Sequence, residues 1–285
     1  MAAKIRSRVT RFCELTFYNM FKKNLLIFIL GFGLCITWFS IDTGRALAVS
    51  DRVATVPILL YHDIPNHSAP SERYSVSAGR FDEQMKLLKD YGYSTITIQE
   101  LVNHIRRGHV LPARPVVISF DDGYQNIYDN AYPIMERYGF TGTVYIVANR
   151  LRSDGFLDRG QLKEMLASGW EVGSHGMTHT ELTQNHDLVR TEILQSRLDL
   201  NDALGIKVSS FAYPFGSLDW YISSKVLDYG YFSAVGVGNL SQHSAGTIYN
   251  MSRREIEGDA TMAEFEELLP WSGRFVPPRR KYTPL

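Results

Sequence analysis

The chain after residue 50 alternates short apolar runs with segments whose apolar residues recur every three or four positions. A short apolar run predicts a buried strand, and the three-to-four spacing predicts a helix with one apolar face. The clearest strands are 56–61 and Pro115–Phe120, because a continuous apolar run is typical of a strand covered on both faces. The other predicted strands are 94–98, 143–147, 170–173, 209–213, 231–235 and 248–251. The first predicted helix runs from a cap at Ser77 to about residue 91, and another follows the strand Pro115–Phe120 and ends at about residue 138. The other predicted helices are 98–107, 159–168, about 187–204, 220–227 and about 261–269.

Strands and helices that alternate at this spacing indicate parallel βαβ units. We therefore predict an α/β fold, in which a closed or nearly closed (β/α) barrel is favoured over an open sheet. Residues 51–271 form one predicted catalytic domain, and residues 272–285 form a loose C-terminal tail.

Acidic and imidazole side chains follow several of the predicted strands. The carboxyl ends of the strands form the functional face of a parallel barrel, so these side chains are expected on one rim. They are His62 and Asp63 after 56–61, Asp121 and Asp122 after Pro115–Phe120, and His175 and His179 after 170–173, with Pro214, Phe215 and Gly216 after 209–213.

Asp121 and Asp122 are adjacent carboxylates, which repel each other unless a cation lies near them or one binds a proton. An ordinary strand-to-helix turn with an aspartate cap is the structural alternative. His175 and His179 are four residues apart, so a helical turn starting there would place both rings on one metal ion. Two histidines and one aspartate leave a coordination position open for water, as in catalytic metal sites.

The combination of SFDDG and SHGMTH resembles the polysaccharide deacetylases, which are carbohydrate esterases with a NodB-type domain. The segments VPILLYHDI, YSVSAGRFDEQMKLLKDYGYSTITIQEL and FAYPFG are similar to the subgroup that acts on poly-N-acetylglucosamine. The resemblance covers about residues 55–269. It implies a distorted (β/α) barrel of NodB type and metal-dependent removal of N-acetyl groups from an N-acetylglucosamine-containing polysaccharide, with release of acetate.

The resemblance also implies a role for each motif residue. Asp121 is the expected general base, and the backbone N–H of Phe215 is expected to help hold the oxyanion. Phe215 and Trp220 are the aromatic residues expected to contact sugar. The expected ligands of a divalent metal, most often zinc, are Asp122, His175 and His179.

Two positions depart from the family pattern. Many members carry an arginine that orients the base where this chain has Ala212, and Arg253 is expected to replace it, with Arg254 as the alternative. A late LxxH motif that supplies the acid is also missing. His62, just past the first strand, is expected to take that role, with His243 as the alternative.

Other functions remain open from the sequence alone. The substrate could be peptidoglycan or a chitin-type oligosaccharide. A catalytically silent glycan-binding homologue is favoured by Ala212 and by the missing LxxH motif. A phosphoester hydrolase is a weaker alternative, because the extra ligands of a two-metal centre are not seen.

The zero net charge of the 285 residues conceals two unlike parts. Residues 1–50 carry a net charge of +5 and both cysteines, Cys13 and Cys35, and the rest carries −5. The uncharged run 25–41 follows two lysines, which predicts a signal peptide cut after 46–48 or an uncleaved anchor in contact with the membrane. We therefore expect an exported protein, periplasmic, extracellular or held on the outer face of the cytoplasmic membrane, that binds no nucleic acid.

Overall fold

A parallel sheet forms the centre of the computed structural model, which describes residues 52–67 and 72–276. The strands are β1 (Ala54–Thr55), β2 (Ile58–Tyr61), β3 (Ser94–Thr95), β4 (Pro115–Phe120), β5 (Thr143–Ile146), β6 (Glu171–Ser174), β7 (Ser210–Ala212), β8 (Ser233–Val235), β9 (Gln242–His243) and β10 (Arg254–Glu255). The main sheet has the order β10-β2-β4-β5-β6-β7-β8, with β3 beside β4, and all of its strand pairs are parallel. Strands β1 and β9 form a separate antiparallel pair.

Helices connect most of these strands. They are α1 (Ala78–Asp90), α2 (Ile98–Arg107), α3 (Tyr132–Arg137), α4 (Arg159–Ala167), α5 (Ser196–Leu204), α6 (Trp220–Asp228) and α7 (Met262–Glu267). The predicted cap Ser77 accepts a hydrogen bond from Arg80 N at 3.3 Å. Two helices begin with a π-helical turn, Ile127–Ala131 before α3 and Arg190–Gln195 before α5.

The two edges of the main sheet are joined by the chain just before β10. Val235 of β8 forms a parallel bridge with Met251. Gly236 N then donates to Met251 O at 2.9 Å, and Gly238 N donates to Arg253 O at 2.8 Å. These bonds nearly close the sheet, which is therefore the distorted (β/α) barrel that the pattern of strands predicted.

Strand β4 shows how the core determines the position of the rim. All six of its residues are buried. Val116, Ile118 and Phe120 belong to the apolar cluster that includes the inner face of α1, and Val117 belongs to a second cluster with Tyr145 and α2. Both faces of the strand are thus covered, and its carboxyl end emerges at the rim with Asp121 next in the chain.

The predicted strand 248–251 is wrong. Ile248 lies in a turn, and Met251 makes only the single bridge to β8. These residues are apolar because Ile248 and Met251 fill the second cluster inside the barrel, and not because they form a strand. The strand at this edge is β10, whose Arg254 pairs with Leu59 of β2.

The beginning of the predicted loose tail is packed against the domain. Gly273 O accepts a hydrogen bond from Arg114 at 2.6 Å, and the Arg114 guanidinium lies 5.1 Å from the centre of the Phe275 ring. The rest of the predicted tail, residues 277–285, lies outside the described residues. So does the segment 1–51, which includes the apolar run 25–41 of the predicted signal peptide or anchor. None of the helices in the described part of the chain is long and apolar enough to span a membrane.

Gly173 of β6 tests how tightly the barrel interior is filled. A Cβ at this position would lie 2.3 Å from Cε1 of Tyr145 and 2.8 Å from Ser210 Oγ. We expect Gly173→Ala to lower the free energy of unfolding by about 1–3 kcal/mol, because an overpacked core must shift. Urea unfolding measures the loss. The matched control is Gly79→Ala in α1, where nothing lies within 4 Å and alanine should stabilise the helix by up to about 1 kcal/mol. Equal stability of the two variants would contradict the tight packing of the interior.

Candidate active site

Asp121 forms a buried, bidentate ion pair with Arg253. Arg253 Nη1 donates to Asp121 Oδ1 at 2.6 Å and Nη2 donates to Oδ2 at 2.7 Å, with neither residue more than 2% exposed. Burial alone would raise the pKa of Asp121, but the charge and hydrogen bonds of Arg253, together with nearby His175 and His62, place it well below its ordinary value. Asp121 is therefore ionised at neutral pH, with both oxygens held in one orientation.

Asp122 lies beside the two motif histidines instead. Its backbone adopts a left-handed conformation, with φ of 68°, and its Oδ1 atom lies 3.6 Å from His179 Nε2. One possible ligand atom from each of Asp122, His175 and His179 lies within 4.8 Å of the others. His175 Nδ1 donates to Ala212 O at 2.8 Å, so the metal-binding lone pair is on Nε2, which lies 3.6 Å from Asp121 Oδ2. Burial, followed by the nearby His175, lowers the pKa of His179 to about 4, so its ring is neutral at pH 7 as metal binding requires.

The segment from His175 to His179 does not form the helical turn that the spacing of four suggested. The chain bends here, with Gly176 at φ 83° and His179 at φ 66°. The two rings nevertheless meet, with their centres 4.8 Å apart. A bend with two left-handed residues thus brings the imidazoles together in place of a helix face.

His62 lines the same cleft. Its ring packs on Tyr74, with the ring centres 5.0 Å apart, and its Nδ1 atom is buried without a hydrogen-bond partner among the described residues. Burial lowers the pKa of His62, and the carboxylates of Asp121 and Asp122 oppose that shift. The cleft has a volume of about 320 Å³ and is lined by Leu60, His62, Tyr74, Asp121, Asp122, His175, His179, Phe215, Gly216, Val237 and Glu255.

The two aromatic residues expected to contact sugar are both exposed, but they lie in different places. Phe215 is 63% exposed, lines the cleft and packs on His179, with the ring centres 4.5 Å apart. Its φ of 60° turns the backbone sharply at this point. Trp220 is 84% exposed at the start of α6 and is not among the residues that line the cleft.

The structure separates the pairs of alternatives that the sequence left open. Arg254 donates to Leu268 O and Asn239 O, so of the two arginines it is Arg253 that holds Asp121. His243 is buried in β9 and its Nε2 atom lies 3.0 Å from Val56 O, just before the amino end of β2. His62 follows the carboxyl end of the same strand, so the two histidines are at opposite ends of the barrel.

The sequence and the fold are similar to those of known proteins. Residues 109–233 match the family model of the polysaccharide deacetylases. This part of the chain is therefore similar to the polysaccharide deacetylases. The Staphylococcus aureus poly-beta-1,6-N-acetyl-D-glucosamine N-deacetylase is 29% identical over 163 residues, which are 52% of this chain and 56% of that protein. The chain spans only 56–62% of the length of the curated relatives that it matches first.

Two solved structures are similar to the described domain. The Streptococcus pyogenes deacetylase PplD, solved in complex with acetate, has 25% identity and a TM-score of 0.70, over 76% of this chain and 99% of PplD. The Bacillus cereus polysaccharide deacetylase BC0361 has 26% identity and a TM-score of 0.67, over 76% of this chain and 69% of that one. The domain therefore has the same fold as these two deacetylases.

Three residues of the candidate site were missed by the sequence analysis. Arg150 donates to Asp122 Oδ1 at 3.0 Å, and its position just past β5 was a signal that the strand-end rule could have used. Tyr74, the neighbour of His62, is the first residue of the segment YSVSAGRF that carries part of the family resemblance, but no role was assigned to it there. Glu192 hydrogen-bonds the bend between the two histidines, although its sequence position predicts only a helix surface.

The acidic limb of the stability curve tests the placement of His243. Burial lowers its pKa to about 4, so below about pH 6.5 the unfolded chain binds a proton there that the folded chain does not. The free energy of unfolding should therefore decrease as the pH is lowered through this window, by about 1.4 kcal/mol per pH unit for such a group. We expect His243→Gln to flatten the curve between pH 6.5 and about 4, as measured by urea unfolding. The exposed control His109→Gln should not change it, and an unchanged slope in His243→Gln would refute the placement.

Proposed function

We propose that this chain is a metal-dependent N-deacetylase of an N-acetylglucosamine-containing polysaccharide. The observation that carries the proposal is the arrangement of a possible metal triad beside an oriented carboxylate in one open cleft. The S. aureus relative that acts on poly-beta-1,6-N-acetyl-D-glucosamine supports this substrate class. The acetate in complex with PplD supports acetate as the product.

The residues of the triad fit a zinc ion. Two imidazole nitrogens and one carboxylate oxygen are a common donor set of catalytic zinc, and they leave a position for water or substrate. Asp122, His175 and His179 would hold the ion, with His175 fixed by its bond to Ala212 O. A bound zinc ion would polarise the acetamide carbonyl and lower the pKa of water.

Asp121 is the proposed general base. Arg253 holds both carboxylate oxygens, so the carboxylate has one fixed orientation, and Asp121 lines the cleft. The same contact lowers the pKa of Asp121, which keeps it ionised but makes it a weaker base. The carboxylate therefore contributes mainly through its position, as an ionised group held in one orientation beside the possible metal triad.

His62, which lines the same cleft as Asp121, is the proposed general acid. Burial makes the protonated ring a stronger acid, and the facing carboxylates of Asp121 and Asp122 favour its protonation. Transfer of that proton to the leaving amine would release the deacetylated sugar. Phe215 would offer its N–H to the acetamide oxygen, and Trp220 would provide an exposed face for a neighbouring sugar ring.

We further propose that the domain acts outside the cytoplasm. Support comes from the uncharged run 25–41 after Lys22 and Lys23, and from the lack of cysteine after residue 50. Export would bring the cleft to a secreted or cell-surface glycan.

Asp121→Asn tests the base. We expect kcat/KM for acetate release to fall at least about 100-fold, because a general base contributes 10²–10⁴-fold, while bound metal stays at the wild-type level. Acetate is measured with a panel of poly-N-acetylglucosamine, chitin oligosaccharide and peptidoglycan, using chelated wild type as the blank. The matched control is the exposed Asp154→Asn, which should keep wild-type rates.

The result separates the alternatives. Activity within a few-fold of wild type would remove Asp121 from the role of base. A wild-type protein that binds no metal and releases no acetate from any glycan would reject the enzyme proposal. Release from peptidoglycan alone would change the substrate and leave the mechanism intact.

His62→Gln tests the acid. We expect kcat to fall about 100-fold with bound metal unchanged, because the variant can still form hydrogen bonds but cannot donate a proton at neutral pH. His243→Gln is the control, since that residue lies at the other end of the barrel, and its kcat should stay within about twofold of wild type. Unchanged turnover in His62→Gln would assign the acid to another group.

A further inference from the structure

The bend that carries His179 is fixed to the domain on two sides. On one side, its carbonyl groups accept hydrogen bonds from the turn after β5: Ala148 N donates to Gly176 O at 3.0 Å, and Asn149 N donates to Met177 O at 3.1 Å. On the other side its N–H groups face a single buried carboxylate. A bend held this way has little freedom to move the imidazole that follows it.

That carboxylate is Glu192, which is only 1% exposed. Its Oε2 atom accepts from Met177 N at 2.8 Å and from Thr178 N at 2.9 Å, and its Oε1 atom accepts from Thr178 Oγ1 at 2.6 Å. Hydrogen bonds to a buried charged group are among the stronger ones in proteins. Both oxygens of Glu192 are thus used to hold the two residues just before His179.

A distortion of the following helix accompanies this contact. Glu192 lies in the π-helical turn Arg190–Gln195, a form that is rare and frequent at functional sites. Ser196 accompanies the turn: its Oγ atom donates to Glu192 O at 2.5 Å and lies 2.9 Å from Ser174 Oγ, next to His175 in the chain. The helix is therefore bonded to both ends of the histidine segment.

Gly176 makes the close approach possible. A Cβ at this position would lie 2.7 Å from Glu192 Oε2, and its φ of 83° is unfavourable for residues with a side chain. An alanine there would push the bend away from the carboxylate. The contact between the bend and Glu192 therefore depends on a glycine at position 176.

We propose that Glu192 is a positioning residue for the metal site: it holds the bend so that His179 meets His175 and Asp122. Its hydrogen bonds go to the backbone of Met177 and Thr178 and to the Thr178 hydroxyl, so it acts on His179 through the two residues before it. The inference rests on the proposed metal site, and not on which glycan is the substrate. It implies that metal affinity falls when Glu192 is removed from a protein that stays folded.

Co²⁺ titration of the metal-stripped protein tests the role without a substrate. The dissociation constant and the visible absorption of bound Co²⁺ are measured for the wild type, Glu192→Ala, Glu192→Gln and the exposed control Asp199→Ala on the same helix. We expect Glu192→Ala to weaken Co²⁺ binding about 10–100-fold, the range typical of outer-shell partners. Glu192→Gln keeps an oxygen for the two N–H groups and should fall between Glu192→Ala and the wild type, and Asp199→Ala should bind as the wild type does.

A purely structural role predicts a different result. In that case Glu192→Ala melts at a lower temperature, but below that temperature it binds Co²⁺ with the wild-type affinity and spectrum, which would overturn the proposal. If Glu192→Ala does not fold, Co²⁺ binding is measured for Gly176→Ala, because that substitution disturbs the same contact from the side of the bend. Wild-type Co²⁺ affinity in Gly176→Ala would also overturn the proposal. A wild type that binds no Co²⁺ would instead refute the metal site itself.

Discussion

The buried ion pair between Asp121 and Arg253 joins the architecture of the barrel to its chemistry. Removing one partner of such a pair leaves an uncompensated buried charge, at a cost of about 3–5 kcal/mol. Arg253 comes from the chain that bridges the gap between β8 and β10, where its backbone oxygen accepts from Gly238 N and its Nε donates to Gly236 O. The contact that orients the carboxylate therefore also stabilises the closure of the sheet.

This pair also explains why two adjacent aspartates can have different roles. Arg253 occupies both oxygens of Asp121, whereas the left-handed backbone of Asp122 directs its side chain to Arg150 and His179. The repulsion between adjacent carboxylates is thus relieved by two separate cations in the described structure. One aspartate is oriented and the other is available to a metal, which is the division that metal-assisted hydrolysis requires.

The sequence predicts much of this arrangement because strand ends can be located from apolar runs. Continuous burial marks β2 and β4, and the parallel topology then brings His62, Asp121 and His175 to one rim. It does not predict the bend at Gly176 or the turn at Ile248, because a spacing of four and an apolar run each fit more than one backbone conformation. Nor does it predict Glu192, whose burial depends on a π-helical turn and on the tertiary approach of the bend.

His62 and His243 show why position must be considered before titration. Burial lowers the pKa of both rings, and both have a buried Nδ1 atom without a hydrogen-bond partner among the described residues. A perturbed pKa alone would therefore select either one. Only the direction of β2 distinguishes them: the strand leads from the neighbourhood of His243 to His62, which faces the carboxylates of Asp121 and Asp122. A general acid must reach the reacting bond, so the topology of the sheet supports the role that we propose for His62, which electrostatics alone leaves open.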